Sequence, residues 1–255
     1  MTSVIGFEPS LLYAEGLTTG QVTKLLFKAD PRSPVDFSNQ NLSHLDLSGL
    51  DFKAARMLQS DIFGSDLSRT NLSHTDLTGS RLDRAVLTYT NFSGANLERA
   101  TLMRPTIYSD LRVDWREAPN FDNANLRGVR ITGRLDGCSF RNADLAGFDF
   151  SPHEPRADIS FLPRNFCRGC RFEGAVLRGA NFDDASLSMA SFADANLSGA
   201  RLTRTDLTRV NFSGADLSGA DLTGADLAEA DLRDVKGLDR VQGLNLTLNL
   251  EKALK

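Results

Sequence analysis

The chain has 255 residues, with 29 Lys and Arg against 33 Asp and Glu, giving a formal net charge of −4. So mild a balance excludes nothing by itself, but from Asn211 to Asp234 six acids stand against Arg233 alone. A non-specific nucleic-acid binder needs a basic stripe, so direct DNA binding is not expected. Three cysteines is an odd number and argues against a secreted disulfide framework, and no apolar run is long enough to span a membrane.

The opening segment, Met1 to Gly16, has no basic stretch followed by a continuous apolar core, so it does not read as a signal peptide and the cytoplasm is the expected location. Thr18 and Gln21 then stand at capping-box spacing. Val22, Leu25, Leu26 and Ala29 fall on one helical face, and Pro31 and Pro34 end the pattern. Residues 1–34 are expected to form a helical cap over whatever follows.

From residue 35 to 235 a five-residue beat takes over. Its clearest stretch is NFSGA-DLSGA-DLTGA-DLAEA-DLRDV, from Asn211 to Val235. Leu or Phe recurs every fifth position, preceded by Asp or Asn, with a small residue two places before it. On a helix that spacing would scatter the apolar positions around the cylinder. On extended chain the Leu/Phe and the small residue two before it share one side. Because five is odd, the chain must bend once per repeat to bring the next Leu inward. Four bends close a square of twenty residues, and stacked squares pair as parallel strands. The expected fold is an all-β solenoid of about seven or eight coils, at a rise of roughly 4.8 Å per coil.

The recurrent A-(D/N)-(L/F)-(S/T/R)-G pattern resembles the pentapeptide-repeat proteins across residues 35–235. The resemblance implies a right-handed quadrilateral parallel β-helix. It also implies a protein that binds partners and is not an enzyme. Within the family, Qnr-type proteins are acidic rods that imitate DNA, bind DNA gyrase or topoisomerase IV and protect it from quinolones. That is the alternative to a scaffold of unspecified partner. The acids Asp216, Asp221, Asp226 and Asp231 would be the surface for that alternative.

Stacking at twenty residues makes further expectations. Phe172, Phe192 and Phe212 should form an internal aromatic ladder, Leu177, Leu197 and Leu217 another, and Asp206 should lie over Asp226. The beat breaks at 108–120, slips by one residue between Ile131 and Phe140, and breaks again at 151–165. Insertions in a solenoid project as loops, and loops on rigid scaffolds often carry function. Arg112, Trp115 and Arg116 in the first, and His153, Glu154 and Arg156 in the second, are the candidate contact residues. Trp115 beside arginines has interface composition; the competing reading is that its ring folds back on the rod.

Cys138, Cys167 and Cys170 all count to inward positions and are expected to be inert buried thiols, since Cys167-Arg168-Gly169-Cys170 lacks the second ligand pair of a zinc site. His44 and His74 face water on different sides. No catalytic, metal or cofactor site is expected. Residues 236–255 read as a short helix-prone tail that either caps the last coil or joins two rods into a homodimer.

Overall fold

The computed structural model describes residues 16–30, 32–108, 114–152 and 164–254. Arg112, His153, Glu154 and Arg156 lie outside them.

Helix α1 spans Thr19–Lys28. Thr18 caps it as its spacing implies: its Oγ1 accepts the Gln21 N–H at 3.3 Å, and the Gln21 Oε1 accepts the Thr18 N–H at 2.8 Å. Val22 and Leu26 are buried and join the rod's core cluster, against which Leu45 and Leu50, the large inward residues of the first layer, also pack. Lys53 Nζ holds the helix end by donating to Leu26 O at 2.9 Å. Leu25 does not share that face: it is exposed, because a helix this short rests on one i, i+4 pair.

Beyond the helix the backbone is organised by parallel bridges between residues one layer apart. They form four ladders, beginning at Asp36, Asn41, Asp46 and Asp51. The first runs through Asp36, Arg56, Asp76, Asn96, Asn125, Asp144, Val176, Asn196, Asp216 and Lys236. That is ten levels, more than the seven or eight expected, partly because the tail forms one of them. Only one pair of sides is regular enough to form continuous strands, β1 (Thr101–Met103) and β2 (Arg130–Thr132), joined in parallel.

Each side repeats one local design. The ladder residue is followed by an inward Leu or Phe. Two places after the ladder residue, a backbone N–H donates to the ladder Asp or Asn Oδ1, as Ser48 to Asp46 at 3.0 Å and Thr223 to Asp221 at 2.9 Å. One place further the chain turns through positive φ. Glycine is not required there: His44, Arg69, Tyr89 and Met189 all adopt φ near +60°. Asn- or Asp-capped turns lower the strain of that corner.

Inside, the rings keep count of layers. Phe92, Phe121, Phe140, Phe172, Phe192 and Phe212 stack in one column with centroids 4.8, 5.0, 4.9, 4.7 and 5.3 Å apart. Leu177, Leu197 and Leu217 are buried in register as expected. Each such side chain contributes about 1.5–3 kcal/mol by leaving water, and the parallel stacks add aromatic contact along the axis. Asp206 does lie over Asp226; Ser186 Oγ donates to the first at 2.9 Å and Asn249 Nδ2 to the second at 2.7 Å, which relieves the like-charge contact.

Two expectations need correction. Cys167 and Cys170 are joined by a disulfide, so only Cys138 remains a free buried thiol. Both had been placed correctly inside; what the spacing conceals is that one tight turn brings the two inward positions within bonding distance, with Cα atoms 5.4 Å apart. The tail is not an α-helical cap. Lys236, Gln242, Leu248 and Leu254 continue all four ladders with a six-residue step. Each longer side absorbs its extra residue in a 3-10 turn, Leu238–Arg240, Leu244–Leu246 and Leu250–Lys252, entered through left-handed Gly237, Gly243 and Asn249.

Candidate docking face

The third ladder differs from the others. Its residues are Asp46, Asp66, Val86 and Thr106 and, beyond a step where no bridge forms, Arg134, Phe166, Ser186, Asp206, Asp226 and Leu248. From Val86 to Ser186 five successive layers carry neither Asp nor Asn. On the other three sides such a run never exceeds three layers. This stretch is also where both insertions join the rod. The first leaves after Thr106 and returns at Asn120 on the fourth ladder; the second leaves after Asp149 and returns at Phe166 on the third. The one-residue slip falls between Arg130 and Arg134, on the way into the same side.

The exposed large apolar residues follow this pattern. Away from the two ends of the rod they are, among the described residues, Tyr89, Trp115 and Met189. Tyr89 and Met189 occupy corner positions at the edge of the third side, with Arg69 and Arg209 in the same column. Arg69 lies over the Tyr89 ring at 4.7 Å. Trp115 begins a 3-10 turn, Trp115–Glu117, capped by Asp114, whose Oδ1 accepts the Arg116 N–H at 3.0 Å. Arg116 also closes a two-point pair on Asp114, 2.9 Å from Nε to Oδ1 and 2.6 Å from Nη2 to Oδ2. Those bonds hold the Asp114 carboxyl down at about 2.

The indole of Trp115 folds back over the corners of Gly137 and Gly169, yet stays 45% exposed. The ring thus folds back on the rod and still leaves part of its surface to solvent. Around it a polar clamp fixes the insertions. Asp136 is fully buried and receives the Arg168 N–H at 2.7 Å and Arg168 Nη2 at 2.7 Å, with Arg134 Nε at 3.7 Å. The Tyr108 hydroxyl donates to Asp136 O. Burial, then the neighbouring Cys138 and Asp136, push the Tyr108 hydroxyl above its ordinary range, so it stays a donor. Arg134 and Arg168 both lie over the Phe166 ring, at 5.2 and 5.5 Å.

Asn165 clasps the stem of the second insertion. Its Nδ2 donates to Phe150 O at 2.8 Å and Ser151 O at 3.1 Å, while its Oδ1 accepts the Gly133 N–H at 2.7 Å. Sequence reasoning singled out neither Asp136 nor Asn165. The signal for Asp136 was present, since a carboxylate between two arginines in a phase-slipped stretch is a pairing candidate.

The acids Asp216, Asp221, Asp226 and Asp231 are placed one on each of the four ladders. Their side chains serve the turns: each Oδ1 accepts the N–H two residues on. Hydrogen bonds from Ser218, Thr223 and Arg233 hold the carboxyls of Asp216, Asp221 and Asp231 below their ordinary value. They do not share a face with Trp115 and Arg116 as a group. His44 and His74 are exposed at corners of opposite sides. Among the described residues no group of three or more His, Cys, Asp or Glu is arranged to hold a metal ion, and no helix is long and apolar enough to cross a membrane.

The family model for pentapeptide repeats matches eight copies, over residues 35–69, 65–102, 167–204 and 195–234, more than half of the chain. The chain belongs to the pentapeptide-repeat family. Its fold is accordingly a right-handed β-helix. Among solved pentapeptide-repeat structures it is similar to trypsin-treated QnrB1, described as a plasmid-mediated fluoroquinolone resistance protein, at 20% identity and TM-score 0.54, covering 70% of this chain and 89% of that one. It is also similar to HetL of the cyanobacterium Nostoc, a pentapeptide-repeat protein involved in heterocyst differentiation regulation, at 23% identity and TM-score 0.37, covering 93% and 94%. No curated protein matches the chain. At these identities the likeness is one of fold.

Proposed function

We propose that this pentapeptide-repeat protein is a non-enzymatic protein-binding rod that docks its partner on the third side. The observation that carries the reading is the coincidence of three departures from the repeat on that side: five layers without Asp or Asn, the exposed Tyr89, Trp115 and Met189, and the roots of both insertions. Aromatic, Met and Arg residues are the side chains that supply most binding energy at protein interfaces. Arg112, His153, Glu154 and Arg156 would extend the surface from the insertions. The test is co-purification of the partner with the wild-type rod and with Trp115→Ala, Met189→Ala and a control on the first side, Asn196→Ala. Loss in the first two but not the control supports the reading; equal capture by all four overturns it.

The second reading is a DNA-imitating rod that binds DNA gyrase or topoisomerase IV. Its support is the shared fold with QnrB1 and the acids Asp216, Asp221, Asp226 and Asp231. Since those acids lie on four different sides, an encircling acidic collar is the form this mimicry would take. Gyrase supercoiling with a quinolone present tests it directly; no protection by the rod removes it.

Self-association is a further part of the proposal. The last layer leaves Leu246, Leu248 and Leu254 exposed and Leu238, Leu244 and Leu250 half-buried at an uncovered end. A second copy stacked there would cover them. Sedimentation of Leu248→Lys against the parent, with a monomeric parent as the overturning result, decides the point.

A further inference from the structure

The repeat satisfies the donors of each turn with the carboxylate or amide of the ladder residue. Where that residue is not Asp or Asn, an acid of the layer below often substitutes. Asp83 Oδ1 accepts the Met103 N–H at 2.8 Å, Asp122 Oδ1 the Arg141 N–H at 3.0 Å, and Asp183 Oδ1 the Thr203 N–H and hydroxyl at 3.0 and 2.7 Å. One buried turn has neither device. At Val86-Leu87-Thr88 the ladder residue is apolar, and the residue below Thr88 is Ser68. Thr88 is 5% exposed, and its Oγ1 is the only buried side-chain hydroxyl without a hydrogen-bond partner among the described residues. Leaving such a group unpaired is unfavourable, because no hydrogen bond offsets the loss of water around the hydroxyl.

Thr88 lines a groove of about 330 Å³ on the third side, together with Arg69, Val86, Tyr89, Thr106 and Glu117. Arg69 lies flat on Tyr89 and makes no ion pair among the described residues. Glu117 stands at the insertion end, so an incoming negative charge belongs at the Arg69 end. We infer that this groove binds a carboxylate side chain, Glu or Asp, of the protein partner, which takes the place of the ladder Asp that Val86 replaces. On binding, Thr88 turns its covered hydroxyl toward the carboxylate, which accepts it and pairs with the Arg69 guanidinium, a charge-assisted contact of the stronger kind. Its aliphatic stem lies against Val86 and the Tyr89 ring. This inference rests on the docking reading of the third side and adds the chemistry of one contact within it.

The test uses the full chain and two small probes, N-acetyl-glutamate N-methylamide and its glutamine counterpart. The methyl signals of Val86, Thr88 and Thr106 are followed by NMR on titration. The glutamate probe is expected to shift them saturably and the glutamine probe to leave them in place. Arg69→Met and Thr88→Val should each weaken the glutamate probe by about fivefold. Thr88→Val exchanges an unpaired hydroxyl for a methyl of the same shape, so it retains the fold, and Val86 and Thr106 still report. Equal shifts with both probes, no shift with either, or binding indifferent to both substitutions overturns the inference. The two proposals fail separately. If Trp115→Ala and Met189→Ala abolish partner capture while the probe does not bind, only the carboxylate contact is lost. If the probe binds while those variants capture normally, the docking reading falls.

Discussion

Trp115 seals against Gly137: a Cβ built on that glycine would lie 2.6 Å from the Cβ and Cγ of the tryptophan. Gly169 in the layer above meets the same ring, and both glycines sit at positive φ, +75° and +62°. Glycine is therefore needed twice over at these corners, for the backbone and for the ring. Gly137→Ala and Gly169→Ala should each cost about 1–3 kcal/mol and lift the indole away. Because Trp115 is the only tryptophan, intrinsic fluorescence checks this. Both variants should emit further to the red and quench more readily than the parent.

Asp136 holds the same region from beneath. Removing one member of a buried, hydrogen-bonded ion pair leaves the other uncompensated. Arg168→Ala strands the fully buried Asp136 carboxylate and is expected to destabilise the rod by about 3–5 kcal/mol, whereas Asp136→Ala should cost less, since the part-exposed Arg168 can turn to water. Denaturant midpoints of the two variants give the comparison.

The inward phase can be tested with neighbours. Leu197 is fully buried, and Leu197→Asp should cost several kcal/mol, about 3–5, for a charge without a partner. Ser198 meets solvent and donates to Asn196 at 2.8 Å. Ser198→Ala should cost less than about 0.5 kcal/mol. Equal melting temperatures would contradict the assignment.

The cysteines make a counting experiment. Cys138 is fully buried, and burial raises its thiol well above the ordinary value. Native protein should react slowly with a thiol reagent. Denatured without reductant it should present one thiol, and after reduction three. Three thiols before reduction would remove the Cys167–Cys170 bond.

Acid should weaken the turns in a defined direction. The carboxyls of Asp216, Asp221 and Asp231 titrate below the ordinary 3.8 in the folded chain. Their contribution is therefore fully present above that ordinary value and lost as pH falls through the folded one. Each is solvated, so each contribution is small. Ser218→Ala should raise the Asp216 carboxyl toward its ordinary value, seen in the pH titration of its Cγ resonance.

The periodic part of this fold was legible because one residue in five must be apolar and inward. Phe172, Phe192 and Phe212 could be stacked from their numbers alone. The ends and the insertions were not legible to the same depth, for separate reasons. A six-residue step shares neither spacing nor small inward residues with the five-residue beat, so Lys236 to Leu254 looked like a tail. The Cys167–Cys170 bond follows from how tightly one corner folds, which the sequence pattern does not carry. For the candidate site, Trp115 and Arg116 stood out by composition. The meeting of both insertions on one side was hidden, because it depends on the count of layers between them. The unpaired hydroxyl of Thr88 is visible only once its neighbours in adjacent layers are known.

The column of six phenylalanines passes both insertions without a change of pitch. Phe92 and Phe121 are 29 residues apart, Phe140 and Phe172 are 32, and their rings are as close as those 20 apart. The interior thus indexes storeys and is blind to residue number. The added length at these two corners leaves the spacing of the rings unchanged. A foreign recognition segment grafted between Tyr108 and Asp114, or between Pro152 and Arg164, would inherit a rigid baseplate at fixed height. Chains of unequal length can in this way share one ruler and differ only in what they hold out from it.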